Sequence, residues 1–220
     1  MKYIYNKLRI LGCSLIVLGL SSCTKDFLDV APTSALTTGN AYNSAQDLTN
    51  ALNGAYRSFY DEYYQWDNVL LGDVRSDNSY NANGDSPIDA YDKLDISTSN
   101  NRMMDNWVQL YRGIARANII LEKIKSVNDP ALDKNNLREN IIGQASFLRA
   151  FHYFQLVKNY GGVPLELNSN SSDPAKINLP RSTEKEVYDQ IDADLQIALA
   201  NLPDAYTGGP SENKVKATKG

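Results

Sequence analysis

Trp107-Val-Gln-Leu-Tyr-Arg-Gly-Ile-Ala-Arg-Ala-Asn118 decides the fold class of this chain. Trp107, Leu110, Tyr111, Ile114 and Ala117 recur at three- and four-residue steps, and Leu121 and Ile124 carry the stripe on. That period predicts an amphipathic helix over about 101–125, ended by Asn128-Asp129-Pro130. Downstream, Leu137, Ile141, Ala145, Leu148, His152 and Leu156 mark one face of a second helix, over about 134–160. Ile142, Phe147, Phe151 and Phe154 widen that face, and Gly161-Gly162 with Pro164 stops it. Two long helices with a short connection make a helical hairpin.

The same signals appear on either side. Ser44 reads as an N-cap with Asp47 three residues on, and Leu48, Leu52, Ala55, Tyr56 and Phe59 follow at helical spacing, predicting a helix over 44–64. Thr183 with Glu186 reads as a capping box. Val187, Ile191, Leu195, Ala198, Leu199 and Leu202 then make a fourth helix, closed by Leu202-Pro203. Residues 72–100, rich in Gly, Asn, Asp and Ser, read as a long polar loop with a short strand or turn. Trp107-x-x-Leu110 with Gly113 echoes a tetratricopeptide unit. The expected fold is mainly α: tetratricopeptide-like helical hairpins with long irregular loops. Val215 to Gly220 reads as the opening of a further helix, so the helical domain, 44–220, is expected to be incomplete.

The first 22 residues read as a processing signal. Lys2, Lys7 and Arg9 precede an apolar run from Ile10 to Leu20, too short to span a bilayer comfortably. Leu20-Ser21-Ser22-Cys23 resembles the lipobox of bacterial lipoproteins, which places a lipid on the Cys23 thiol and leaves residues 23–43 as a tether. The alternative is an ordinary secretory peptide with an incidental cysteine. Cys13 leaves with the signal, so no thiol remains for a disulfide, a metal or catalysis.

The formal charge of −4 becomes −7 once Lys2, Lys7 and Arg9 are removed, with 19 basic against 26 acidic residues. No Lys/Arg cluster stands out, which argues against a nucleic-acid partner. A single histidine, His152, lies on an apolar helix face and reads as a hydrogen-bonded packing residue. Neither a metal site, nor a cofactor cradle, nor a catalytic carboxylate pair emerges, so the chain reads as no enzyme. Asp192 and Asp194, two apart on a helix, read as solvated surface.

Binding chemistry is better represented. A sugar offers an apolar C–H face and a rim of hydroxyls, so it suits flat aromatics beside bidentate polar groups. The chain carries 14 Tyr against 5 Phe. Tyr80, Asn81, Tyr91 and Asn78 combine these groups within one loop. Trp66, at the expected end of the first helix, reads either as core or as part of the ligand mouth. Arg75 and Asp77, with Asp73, read as pinning the loop through a salt bridge and turn bonds, and Arg112 and Arg149 as inter-helix hydrogen bonders.

Several segments together resemble the SusD/RagB family of outer-membrane lipoproteins of Bacteroidetes. They are Cys23-Thr-Lys-Asp-Phe-Leu-Asp29 with Pro32, Leu52-Asn-Gly-Ala-Tyr56, Asp73-Val-Arg-Ser-Asp77, and the Trp107–Asn118 stretch. Gly143-Gln-Ala-Ser-Phe-Leu-Arg-Ala-Phe-His-Tyr-Phe154, Tyr160-Gly-Gly-Val-Pro-Leu165 and Arg181-Ser-Thr with Glu186-Val-Tyr188 complete the set. The resemblance implies a tetratricopeptide-like fold, a lipid anchor on the outer face of the outer membrane, and a SusC-like TonB-dependent transporter as partner. It implies an oligosaccharide ligand delivered without catalysis, with the Arg75–Tyr91 region facing the glycan. Two other roles stay open: a helical-repeat docking subunit with no ligand of its own, and a peptide-binding RagB-like lipoprotein. Family members run to roughly twice this length.

Overall fold

The computed structural model describes residues 41–82, 84, 86–169, 178–208 and 215–219. The expected signal peptide, the lipid site at Cys23 and most of the tether lie outside the described residues. Among those described, every regular element is a helix.

Ser44 opens α1, Ala45–Tyr56, with a complete capping box: the Asp47 N–H donates to Ser44 Oγ at 3.1 Å, and the Ser44 N–H donates to the Asp47 carboxylate at 3.0 Å. The helix does not continue to residue 64. A 3-10 turn, Arg57–Tyr60, tightens its end, and Asp61 is extended. A wide π turn, Tyr63–Asp67, then leads into α2, Asn68–Arg75. Two bonds pin the break: Ser58 Oγ donates back to Ala55 O at 2.6 Å, and Gln109 Oε1 takes the Tyr63 N–H at 2.9 Å.

The expected loop over 72–100 is also corrected. It holds the end of α2 and a short helix, α3, Ser86–Asp92. These two bury Leu71, Val74 and Tyr91 in a small cluster of their own.

The long helices follow. α4, Asn101–Lys123, is capped by Asn100, whose side chain accepts from the N–H groups of Arg102 and Met103. A 3-10 turn at Pro130–Asp133 leads to α5, Leu137–Tyr160, and α6, Glu184–Asn201, starts at the Thr183–Glu186 capping box. α1 and α5 run opposite to α4 and α6. One core joins Leu48, Leu52, Ile120, Ile124, Ile141 and Leu148 at one end. A second joins Leu110, Ile114, Tyr153, Leu156, Val187 and Ile191 at the other.

Two glycines set how closely elements approach. A Cβ on Gly113 would lie under 3.0 Å from the His152 imidazole, and one on Gly162 would run into the Ser182 carbonyl. Glycine is required there by contact, since neither has a positive φ.

Asp194 is not solvated surface. It is fully buried and takes a two-pronged bond from Arg149, Nε at 2.8 Å and Nη2 at 2.6 Å. Arg149 Nη1 also donates to Asn118 Oδ1 at 2.9 Å, and the Asn118 amide donates to Glu166 O at 2.7 Å. This network ties α4, α5, α6 and the segment after α5 together, so that the buried charges are paired and hydrogen-bonded. Asp192, two residues away, is exposed.

Candidate functional site

The break after α1 positions the candidate ligand surface. The 3-10 and π turns rotate successive aromatics in opposite directions. Tyr63 and Tyr64 turn inward, while Tyr60 and Trp66 face solvent with 79% and 57% of their surface exposed. A π turn inserts one extra residue into a helical path, a distortion found frequently at functional sites.

Tyr60 borders an open cleft of about 940 Å³, lined also by Asn53, Tyr56, Arg57, Phe59, Gln65, Phe147 and residues 215–217. Four aromatics, Tyr56, Phe59, Tyr60 and Phe147, share its walls with the amides of Asn53 and Gln65 and the Arg57 guanidinium. Tyr56 OH accepts from the Ala217 N–H at 3.0 Å, and burial pushes its pKa up to about 12, so the phenol stays neutral. Gln65 donates to Phe59 O at 2.7 Å, which holds the 3-10 turn against the π turn. Trp66 directly follows Gln65 in that turn. This combination of flat apolar surface with fixed polar groups fits a hydroxyl-rich ring better than it fits an ion.

The structure divides the residues singled out from the sequence. Trp66 is a surface residue. Tyr80, 77% exposed, lies with Asn78 and Asn81 in the segment after α2. Asn78 donates to Ser76 Oγ at 2.9 Å, and the Asn81 N–H donates to the Asp92 carboxylate at 3.3 Å, so the segment is held at both ends. Tyr91 is not a surface platform. It is 3% exposed, and the Arg75 guanidinium lies 4.8 Å from its ring centroid. The expected Arg75–Asp77 pin is corrected too: Arg75 belongs to α2 and stacks on Tyr91, while Asp77 is exposed at φ 60°. Arg149 bridges helices, whereas Arg112 is exposed on α4 and makes no hydrogen bond among the described residues. Tyr60, Gln65 and Asn53 went unmarked in the sequence, because the cleft joins residues from three distant parts of the chain.

Ser58 and His152 stand 3.1 Å apart, the spacing of a nucleophile and its base. Their environment does not suit that chemistry. Both are fully buried, and Ser58 gives its proton to Ala55 O. The imidazole Nε2 therefore donates to Ser58, and Nδ1 accepts from Tyr64 OH at 2.7 Å. Burial, helped by nearby Arg116, lowers the His152 pKa to about 3. The ring is a neutral bridge between the 3-10 turn, the π turn and α5, with both nitrogens engaged. Among the described residues no group of three His, Cys, Asp or Glu could hold a metal, and no helix is long and apolar enough to cross a membrane.

Known proteins share this architecture. The SusD-like family described as "Starch-binding associating with outer membrane" matches residues 26–219. SusD-like protein P38 of Formosa agariphila is 30% identical over 190 residues, covering 86% of this chain and 36% of the relative. The crystal structure of a SusD-like protein from Bacteroides fragilis, 29% identical, superposes with a TM-score of 0.68 over 87% of this chain and 34% of that one. A laminarin-binding SusD-like protein, 23% identical, has the same fold, with a TM-score of 0.68 over 81% of this chain and 38% of the other. The chain thus spans little more than a third of these relatives. The match along nearly its whole length, joined to the helical frame described above, makes this chain a member of the SusD-like family.

Proposed function

We propose that this chain belongs to a surface lipoprotein that captures glycan at the Tyr60–Trp66 shelf without altering it. Cys23 carries the lipid anchor, facing the cell exterior, and a SusC-like TonB-dependent transporter receives the oligosaccharide. The observation that carries the reading is the exposed Tyr60 on the wall of a wide cleft with amide and guanidinium groups, with the exposed Trp66 next in sequence to the lining residue Gln65. Tyr80 and Asn78, exposed on the neighbouring segment, extend the polar and aromatic surface. The absence of catalysis is supported by the state of the buried acid–base groups. His152 is locked between two partners, and Asp67 and Asp194 are held in ion pairs of 2.6 Å.

Calorimetric titration of the full chain with starch and laminarin oligosaccharides tests this directly, since these are the glycans named for the family and for a protein of the same fold. Saturable binding with no release of reducing ends is expected. Trp66→Ala and Tyr60→Ala should each weaken binding about tenfold, as loss of one aromatic stacking contact does. Unchanged affinity in both variants would remove the shelf from the reading.

A second reading, a docking subunit without its own ligand, draws on α6. Tyr188, Leu195 and Leu199 make an exposed apolar stripe there, beside the face that packs on α5. It predicts capture of the transporter by a chain that binds none of the glycans.

A further inference from the structure

Away from the shelf, a cavity of about 230 Å³ lies where the π turn, α2, α3, α4 and the end of α5 meet. We propose that it binds a hydroxylated carboxylate about one sugar ring in size: the uronate end of an acidic glycan. The choice of a glycan end rests on the glycan-capture reading above; the chemistry of the pocket does not.

The first observation is Asn106, which lines the cavity and is 2% exposed. Among the described residues its Oδ1 is a buried acceptor with no hydrogen-bond partner. Buried acceptors are rarely left so, and this one calls for an O–H or N–H donor from a bound molecule.

The second observation is charge. Arg75 and Lys158 both line the cavity. The Arg75 guanidinium stacks on Tyr91, and its N–H groups find no acceptor among the described residues. Lys158 spends one proton on Asn68 Oδ1 at 3.2 Å and keeps two. The one acidic group in the lining, Asp67, is already neutralised by Arg102. Glu62, outside the lining, also faces Arg102, and Asp89 on α3 pairs with Lys93. The cavity is therefore net positive.

Each observation alone admits a broad class of ligand, and together they narrow it. A neutral sugar would satisfy Asn106 but leave the guanidinium and ammonium unmatched. A simple anion would match the cations but could not donate to Asn106. A uronate does both, with its carboxylate toward Arg75 and Lys158 and a ring hydroxyl toward Asn106. The cavity falls below the roughly 300–1,000 Å³ of larger ligand pockets, so it takes one ring and no more.

Calorimetry on the full chain with methyl β-glucuronide, methyl β-glucoside and glycolate tests the assignment. The glucuronide should bind at least about tenfold more tightly than the other two, and added salt should weaken it. Arg75→Gln and Lys158→Gln, both at partly or fully exposed positions, should each lower its affinity about tenfold, while Asp192→Ala, exposed on α6, leaves it unchanged. Equal affinity for glucuronide and glucoside would overturn the proposal, as would no binding of either. Glycolate binding as tightly as the glucuronide would overturn the assignment to a glycan end. Neutral glucan titrated into Trp66→Ala and Tyr60→Ala reports on the shelf alone: unchanged glucan affinity there, with the preference for glucuronide intact, sinks the shelf reading and not this one.

Discussion

Two regions of this molecule treat their polar and aromatic residues in opposite ways. Within the α4–α5–α6 stack, the charged pair Arg149–Asp194 is sealed from water, and Asn118 and Glu166 O complete its bonds. In the Arg57–Tyr80 segment, large aromatics face solvent and regular helix gives way to 3-10 and π turns. The first region uses polarity to fix the register of helices, the second to leave a surface open. His152 joins the two, since it sits on α5 and holds Ser58 and Tyr64 from the irregular segment. The contrast predicts that disturbing the stack or its junction costs stability, whereas disturbing the shelf costs binding.

The largest effect should come from acid at that junction. The His152 ring takes up a proton near pH 6.5 in the unfolded chain but only near 3 in the fold, because burial disfavours the charged ring. Between those values the unfolded state binds the extra proton, so its contribution to stability is intact above pH 6.5 and is lost as the pH falls toward 3. At about 1.4 kcal/mol per unit the loss reaches about 4–5 kcal/mol. Urea unfolding at several pH values should show it, and His152→Gln should flatten the dependence. A profile that is equally steep in the variant would assign the acid sensitivity elsewhere.

Next is the stack itself. Asp194→Ala leaves the Arg149 guanidinium buried with only Asn118 as partner, and removing one member of such a pair costs about 3–5 kcal/mol. Asp192→Ala, at an exposed position on the same helix, should change stability by less than about 0.5 kcal/mol. Thermal melts of the two variants side by side sharpen the contrast, and equal melting temperatures would dissolve it. Gly113→Ala is a smaller disturbance of the junction: the added Cβ meets the His152 ring and forces the helices apart, at about 1–3 kcal/mol.

The two regions were also unequally legible in the sequence. Apolar spacing and caps were enough for α4, α5 and α6, and for the start of α1 at Ser44. The break after Tyr56 was hidden because Phe59 and Tyr63 keep nearly helical spacing, which 3-10 and π turns disturb by only one position. α3, seven residues long, is too short for periodicity to register, so the sequence presents Tyr91 as loop although it is core. The burial of Asp194 is hidden for a different reason: its partner Arg149 is 45 residues away, and spacing within one helix carries no trace of it. Of the candidate site, the sequence marks Trp66 and Tyr80 as candidates, but it leaves Trp66 open between core and ligand mouth, and only the fold places it at the surface. The cleft is not legible there, because it depends on bringing Asn53, Phe147 and Lys216 together.

The smallest effect on stability is expected at the shelf, where it is also the most informative. Trp66 is more than half exposed, so truncating it uncovers little core, and Trp66→Ala should move the unfolding free energy by no more than ~0.5 kcal/mol. An ordinary core tryptophan would cost about 3–5 kcal/mol on truncation. If the variant melts with the wild-type chain and loses glycan affinity, the indole is maintained for contact with something outside the fold. If it melts far lower, Trp66 supports the π turn, and the division between a sealed stack and an open working surface is wrong at the residue that best represents it.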